Sequence, residues 1–473
     1  MLDSYFVSDE DQKKAYRPWN ARRKLPPRTQ NTPGPFSIPS PSQSDGPSTI
    51  QPDPLAAQET IPEPSGLEGE AWEKEVRPQE LGERERIQSK VALWDSEERH
   101  VPAPPQVTQR FNPSDQVYVM GLDLAGRHIA HTLAGCETIP PVRYIIHEHY
   151  LRKQWNEANR QLTVYRGDDM IVRNRIVAED TSGLVESSGD IIENLIVTVP
   201  AGQVVQALEG IQHRLNHRST ICLVNDGLGV AEALTEAYFH NEAKRPVFLL
   251  GHFSTVLGHT NQRFSVHEVS PGRLYLSLFS RAREPGARFE IKRHPPLERT
   301  ARATHFIRLL TAMPGLNATG HPMTDFLKYK LPTLAFRSIV DPLATLLECT
   351  YDQLPGNMYA RQLMDQIIGE LSHVVARLPE CRDSEMSRQT AVVSMLRKQV
   401  LRKLMLQRNA DSKMRSNTSR GWNTDLDFLA GYFIKRGREV QADVPTLSSI
   451  TLAVKAKQMV MLKRVEAEVP FEE

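Results

Sequence analysis

The chain has one segment suited to phosphate chemistry and one suited to proton chemistry. The run Gly121-Leu122-Asp123-Leu124-Ala125-Gly126 joins a short apolar stretch, QVYVMG from Gln116, to LDLAGRHIAHTLAG, which has helical spacing. Glycines at a strand-to-helix junction make a tight turn, let the backbone approach a pyrophosphate, and let the helix pack closely on the strand. Between them stands Asp123. Its carboxylate either opposes a bound pyrophosphate or caps the helix, and capping is the favoured role. Further on, Leu331 to Leu354 reads LPTLAFRSIVDPLATLLECTYDQL, which sets Arg337 and Asp341 in apolar surroundings, with Lys330 just ahead of it.

Regular elements must hold these segments in place. After the first strand and helix, VRYIIHEHY reads as a second strand, and that β-α-β spacing opens a dinucleotide-binding domain. LIVTVP, a helix from Gln203 to Leu215, and STICLVNDGLG repeat the rhythm, and PVFLLGH, RFSVHEV and RLYLSLF supply later strands. Such alternation implies a mostly parallel sheet covered on both faces. From about Phe306 the apolar period becomes helical, through FIRLLTAM, Leu343 to Cys349, MYARQLMDQIIGELSHVVARL, Asp425 to Arg438 and TLAVKAKQMVMLKRV. Polar stretches at Arg281 to Thr304 and Glu380 to Arg388 read as surface loops.

Residues 1–112 are rich in Pro, Ser, Gln and Glu, and segments such as TPGPFSIPSPSQSDGPSTIQPDP bury too little to offset chain entropy. They read as a disordered arm, with a short helix around Glu83 to Glu98, acting as a solvated tail or as a docking segment for a protein partner. The expected organisation is this arm, a sheet domain over 113–305 and a helical domain over 306–473.

A net charge of +1 gives no overall electrostatic argument for nucleic acid or an anionic membrane, and no apolar run is long enough to span a bilayer. Cys136, Cys222, Cys349 and Cys381 lie far apart, three of them in apolar contexts. That pattern fits buried thiols in a reducing compartment; it is neither a disulfide framework nor a metal site. Arg and Lys cluster near the N-terminus as in a mitochondrial presequence, whereas Asp3, Asp9, Glu10 and Asp11 oppose one. The expected setting is intracellular, cytoplasm or mitochondrion.

The segment Leu331 to Leu354 resembles, without a gap, the ketopantoate reductase (2-dehydropantoate 2-reductase) signature W-x-K-L-x-x-N-x-x-I-N-P-L-T-A-L-x-x-C-x-N-G-x-L. Two further motifs of that family align in order. V-T-x-K-A-x-Q followed by L-x-Q-N-G-M-G resembles Val197 to Gln203 and Leu223 to Gly229, and S-S-M-L-Q-D-x-x-x-x-R-x-T-E-I-D-x-I-N-G resembles Ser412 to Gly431. The resemblance covers about residues 115–465. It implies a Rossmann-like domain followed by an all-helical domain, 6-phosphogluconate-dehydrogenase-like, that binds NADPH and reduces a 2-keto acid.

Carried over residue by residue, the resemblance places Gly121, Asp123, Gly126, Asn225, Asp226 and Gly227 at the cofactor and Thr333, Arg337, Ser412 and Asp425 at the substrate. The family's central glycine is Asp123, and its cofactor-facing lysine is Pro200. Its Asn-Gly asparagine is Asp226, its general-acid lysine is Thr333 and its substrate asparagine is Arg337. A threonine hydroxyl is too weak an acid for that proton transfer, and losing a positioned acid costs on the order of 10²–10⁴ in rate. Lys330 lies one turn earlier, but Pro332 suggests that the helix begins there and leaves Lys330 in solvent. Arg337 either pairs with Asp226, Asp425 or Asp341 and fills the pocket, or clamps a substrate carboxylate. His147-Glu148 takes the place of the pair that meets an adenosine 2′-phosphate; Glu148 repels one, and Arg152 or Lys153 could substitute. Ser412, Asp427 and Gly431 match, and Thr424 reads as the cap of a helix whose Leu426, Leu429 and Phe433 face the core. The expectation is a pseudoenzyme keeping the fold as a binding or regulatory module; the alternative is an active NAD(P)H-dependent reductase with a rebuilt site.

Overall fold

The computed structural model describes residues 112–146, 149–180, 190–279, 297–382, 392–408 and 410–468. The expected arm, its helix at Glu83 to Glu98, and the pair His147-Glu148 lie outside the described residues. β1 (Val117–Met120) leads through α1 (Leu124–Ala134) to β2 (Val142–Ile146) and α2 (His149–Glu157). Then come β3 (Leu162–Arg166), β4 (Asp169–Arg173), β5 (Ile176–Asp180), β6 (Asn194–Val197), α3 (Val204–Glu209) and β7 (Thr220–Leu223). α4 (Val230–Ala237), β8 (Val247–Phe253), β9 (Val256–Gly258), β10 (Ser265–Ser270), β11 (Leu274–Leu278), α5 (Leu297–Thr311) and the short β12 (Thr319–Gly320) follow. Helices take over as α6 (Met323–Leu347), α7 (Met358–Arg377), α8 (Pro379–Arg382) and α9 (Val393–Leu406). The last three are α10 (Lys413–Ser419), α11 (Ala430–Glu439) and α12 (Pro445–Glu468).

Eight strands form the main sheet in the order β12-β11-β8-β7-β6-β1-β2-β5. From β8 to β5 every pairing is parallel, while β11 runs antiparallel to β8. Because side chains alternate along a strand, Val117 and Val119 enter one core while Tyr118 and Met120 enter the other. Strands buried on both faces read as continuous apolar runs. The core under Tyr118 and Met120 continues without a break into the helical layer, through Leu331, Leu334 and Ile339 of α6. β1 and β6 are neighbours, and the chain winds away from them in both directions, so the cleft at their C-terminal ends is where such sheets bind ligands.

Several local expectations change. VRYIIHEHY stops being a strand at Ile146, and α2 begins at His149. Residues 162–180 form three further strands: β3 buries Leu162, Thr163 and Val164, whereas β4 is exposed along most of its length, Met170 and Val172 included. β10 joins a separate four-stranded sheet, β4-β3-β10-β9, against α1. Between Gln203 and Leu215 only α3 is α-helical, flanked by two 3₁₀ turns. Within the expected loop at Arg281 to Thr304, residues from Leu297 onward are helical, and Ala303 is buried against the sheet. α8 likewise replaces part of the loop at Glu380 to Arg388 and buries Cys381. Cys222 is also buried, but Cys136 and Cys349 are only partly so, and all four are free thiols. Among the described residues, no helix is long and apolar enough to cross a membrane.

Candidate active site

α6 presents Thr333, Arg337 and Asp341 at every fourth residue, so the three share one face. Pro332 and Pro342 lie inside this helix. An interior proline removes a backbone bond and costs about 3 kcal/mol, which is why Pro332 reads as a helix start. Burial of Phe326, Leu327, Leu331 and Leu334 around it offsets that cost, at roughly 1.5–3 kcal/mol per large apolar side chain.

The helix therefore includes Lys330, which corrects its expected place in solvent: it is 2% exposed. Its ammonium donates to the Asn225 carbonyl and, at 3.4 Å, to the Gly251 carbonyl. Burial lowers its pKa to about 8, against the opposing pull of the Asp226 carboxylate. His252, beside it on β8, is pushed down to about 3 by burial and by the Lys330 charge.

Arg337 bridges two carboxylates. Its Nη1 donates to Asp226 Oδ2 at 2.5 Å and its Nε to Asp341 Oδ2 at 2.8 Å. Asp341 is fully buried, and its second oxygen accepts from the Tyr351 hydroxyl and, at 3.1 Å, from Ser412 Oγ. Asp226 keeps 46% of its side chain exposed at the cleft. Its partial burial pushes the carboxyl upward, but Arg337 and Lys330 outweigh that and hold it well below the usual carboxylate range. Asp425 shares the field of Arg337 but bonds elsewhere, its Oδ1 accepting from the Gly202 amide at 2.9 Å. Burial pushes the Asp425 carboxyl up, against Arg337. Thr333 Oγ1 is buried with no hydrogen-bond partner among the described residues.

The phosphate turn is preserved in shape and altered in charge. Gly121 has φ +127°, and a Cβ on Gly126 would stand 2.1 Å from the Gly121 carbonyl oxygen. Asp123 caps α1, its Oδ1 accepting from the Gly126 amide at 3.0 Å, as expected for a capping role. Burial raises its pKa, opposed by bonds from Thr198 and Gly126. A helix N-terminus whose amide already serves a carboxylate does not fit a pyrophosphate.

The structure thus gathers Asp226, Arg337, Asp341 and Ser412 into one bonded network, with Lys330 close enough to Asp226 and Arg337 to feel both charges. Asp123 and Asp425 are near enough to feel the Asp226 charge, without joining the network. Pro200 begins the 3₁₀ turn that carries Gly202. Gly227 is needed where the helical layer touches the sheet: a Cβ there would meet the Phe428 Cβ at 2.6 Å. Leu426, Leu429 and Phe433 are buried as expected, but α11 starts at Ala430, after a 3₁₀ turn whose first flanking residue is Asp425 and not Thr424, with no side-chain cap from Asp425. Tyr351 escapes sequence reasoning, because nothing about a tyrosine after a helix end announces a carboxylate partner ten residues back along the chain.

Known families match both parts. The family model described as ketopantoate reductase PanE/ApbA covers residues 117–281, and its C-terminal counterpart covers 325–458. The chain belongs to the ketopantoate reductase family. A 2-dehydropantoate 2-reductase of Aquifex aeolicus is 23% identical over 286 residues, 59% of this chain and 81% of that protein. Among solved structures, D-mandelate dehydrogenase with NADH and anilino(oxo)acetate superposes with a TM-score of 0.53 at 14% identity, covering 73% of this chain and 99% of that one. A 2-dehydropantoate 2-reductase from Geobacter metallireducens gives 0.53 at 13% identity, covering 72% and 99%. The fold is accordingly a Rossmann-like domain followed by a helical ketopantoate reductase C-terminal domain. Set on the signatures of that family, Asp226, Arg337, Asp341 and Tyr351 each stand where the pattern has asparagine. Those four replacements are the residues that bond to one another here.

Proposed function

We propose that this chain is a catalytically silent member of the ketopantoate reductase family, retained as a binding module. The observation that supports this reading is the joint exchange of four asparagine positions for one bonded set, Asp226–Arg337–Asp341–Tyr351. A neutral, donor-rich pocket becomes an internally satisfied ion network, so the groups that would hold a 2-keto acid bond one another instead. Thr333 brings no proton of useful acidity and no positive charge to the reacting carbonyl. Asp123 adds a carboxylate where a dinucleotide pyrophosphate would lie, so NADPH binding is expected to be weak or absent.

A second reading rests on Lys330. A lysine with a pKa of about 8 beside the cleft is in the range of a general acid. It would make the chain an active 2-keto acid reductase whose proton donor has moved one turn along α6. NADPH oxidation with excess ketopantoate separates the two. The silent reading expects no turnover by the full chain, whereas turnover abolished in Lys330→Met would establish the second reading and overturn the first.

A further inference from the structure

The overall charge of +1 conceals a local asymmetry. Residues 386–410, MSRQTAVVSMLRKQVLRKLMLQRNA, contain Arg388, Arg397, Lys398, Arg402, Lys403 and Arg408 and no acidic residue. Most of this stretch is α9, whose Leu396, Val400 and Leu404 form the stripe that packs inward. On a helix that stripe leaves the opposite face to solvent, and Lys398 and Arg402 fall at its centre. Met395, Leu401, Met405 and Leu406 flank them, with Met405 61% and Leu406 75% exposed. Four large apolar side chains around two cations on a solvent-facing helix are unusual for a surface with no partner.

We infer that the outer face of α9 docks on an anionic lipid surface. Long basic side chains can keep their heads at the phosphate level while neighbouring Met and Leu enter the acyl boundary, the pattern of an interfacial helix. The opposite sign of charge selects the occupant. A second copy meeting this face symmetrically would set Lys398 and Arg402 against their own equivalents. Nucleic acid would use the cations but gain little from aliphatic flanks that cannot stack on bases. Arg397 is partly committed to Asp365, at 2.9 Å, so Lys398 and Arg402 carry most of the outward charge. This surface is independent of the cleft, and its test does not depend on whether the cleft reduces anything.

The test is co-sedimentation of the full chain with phosphatidylcholine vesicles, with and without phosphatidylserine, at low and high salt. The expected result is binding only to the anionic vesicles, weakened by salt. Lys398→Glu/Arg402→Glu should lower that partitioning on the order of tenfold or more, since each basic residue near such a surface adds a sizeable share of the binding. Met405→Gln/Leu406→Gln should also lower it, less strongly, while both variants keep the parent's circular dichroism and melting temperature. No binding by the parent, equal binding to neutral vesicles, or unchanged binding by both variants would overturn the proposal. The last outcome would assign the interaction to another part of the chain. Anionic-vesicle binding lost only in the charge variant, with the apolar variant unaffected, would equally count against insertion and point to an acidic protein as the partner.

Discussion

The phosphate turn and the α6 network both carry charged residues where their family pattern has small or neutral ones, yet they absorb those charges differently. At the turn the adjustment is local: Asp123 caps the helix that begins beside it, three residues from the amide it accepts. At α6 the adjustment reaches across the molecule, because Arg337 joins Asp226 on the sheet side to Asp341, Tyr351 and Ser412 on the helical side. A local solution leaves its neighbours free to change one at a time. A bonded network requires its members to change together, and removing one leaves the others buried and unsatisfied.

The difference predicts unequal consequences. Asp341→Ala should be the most damaging, destabilising the fold by about 3–5 kcal/mol, since it strips Arg337 of a carboxylate and leaves the Tyr351 and Ser412 hydroxyls without their acceptor. Urea unfolding measures it, and a loss below about 1 kcal/mol would mean that the network is not cooperative. Gly126→Ala should cost about 1–3 kcal/mol, because its Cβ meets a backbone oxygen that cannot swing aside.

Lys330 gives a pH signature. Its folded pKa of about 8 lies below the unfolded value near 10.4, so between those limits the unfolded chain holds more protons. Stability should therefore rise with pH above about 8, by up to about 1.4 kcal/mol per pH unit, and Lys330→Met should flatten that slope between pH 8 and 10. Identical slopes in parent and variant would place the lysine in solvent.

Asp123→Gly should have the smallest effect on stability, a few tenths of a kcal/mol, as glycine is itself an acceptable cap. It should nevertheless tighten NADPH binding by fluorescence titration. Equal dinucleotide affinity in parent and variant would break the contrast between the two regions.

The main outline of the fold was legible in the sequence because buried parallel strands and amphipathic helices write their periods plainly. β1, α1, β6, β7 and β8 follow their apolar runs closely. What escaped was decided by distant contacts. Pro332 carries a local stop signal that the core around α6 overrides, and so Lys330 was misplaced. The hairpin of β3 and β4, turning at Gly167 with φ +58°, has no clean apolar alternation, because β4 leaves Met170 and Val172 exposed beside Asp169 and Arg173. Of the site, the pairing of Arg337 with nearby carboxylates was readable, since few partners suit a buried guanidinium. Asp425, an equal candidate beside Asp226 and Asp341, bonds the Gly202 amide instead. The hydroxyls of Tyr351 and Ser412 were not readable, because hydrogen bonding to a buried carboxylate leaves no periodic trace. The cation-rich face of α9 vanished into a near-zero sum of charges.

The central claim is that the charged network replaced the reductase site. It is tested most directly by NADPH oxidation with ketopantoate, comparing the parent chain with a variant that restores the family residues together: Asp123→Gly, Pro200→Lys, Asp226→Asn, Thr333→Lys, Arg337→Asn, Asp341→Asn and Tyr351→Asn. The parent should be silent and the restored variant should show measurable turnover. Turnover by the parent chain would contradict the claim.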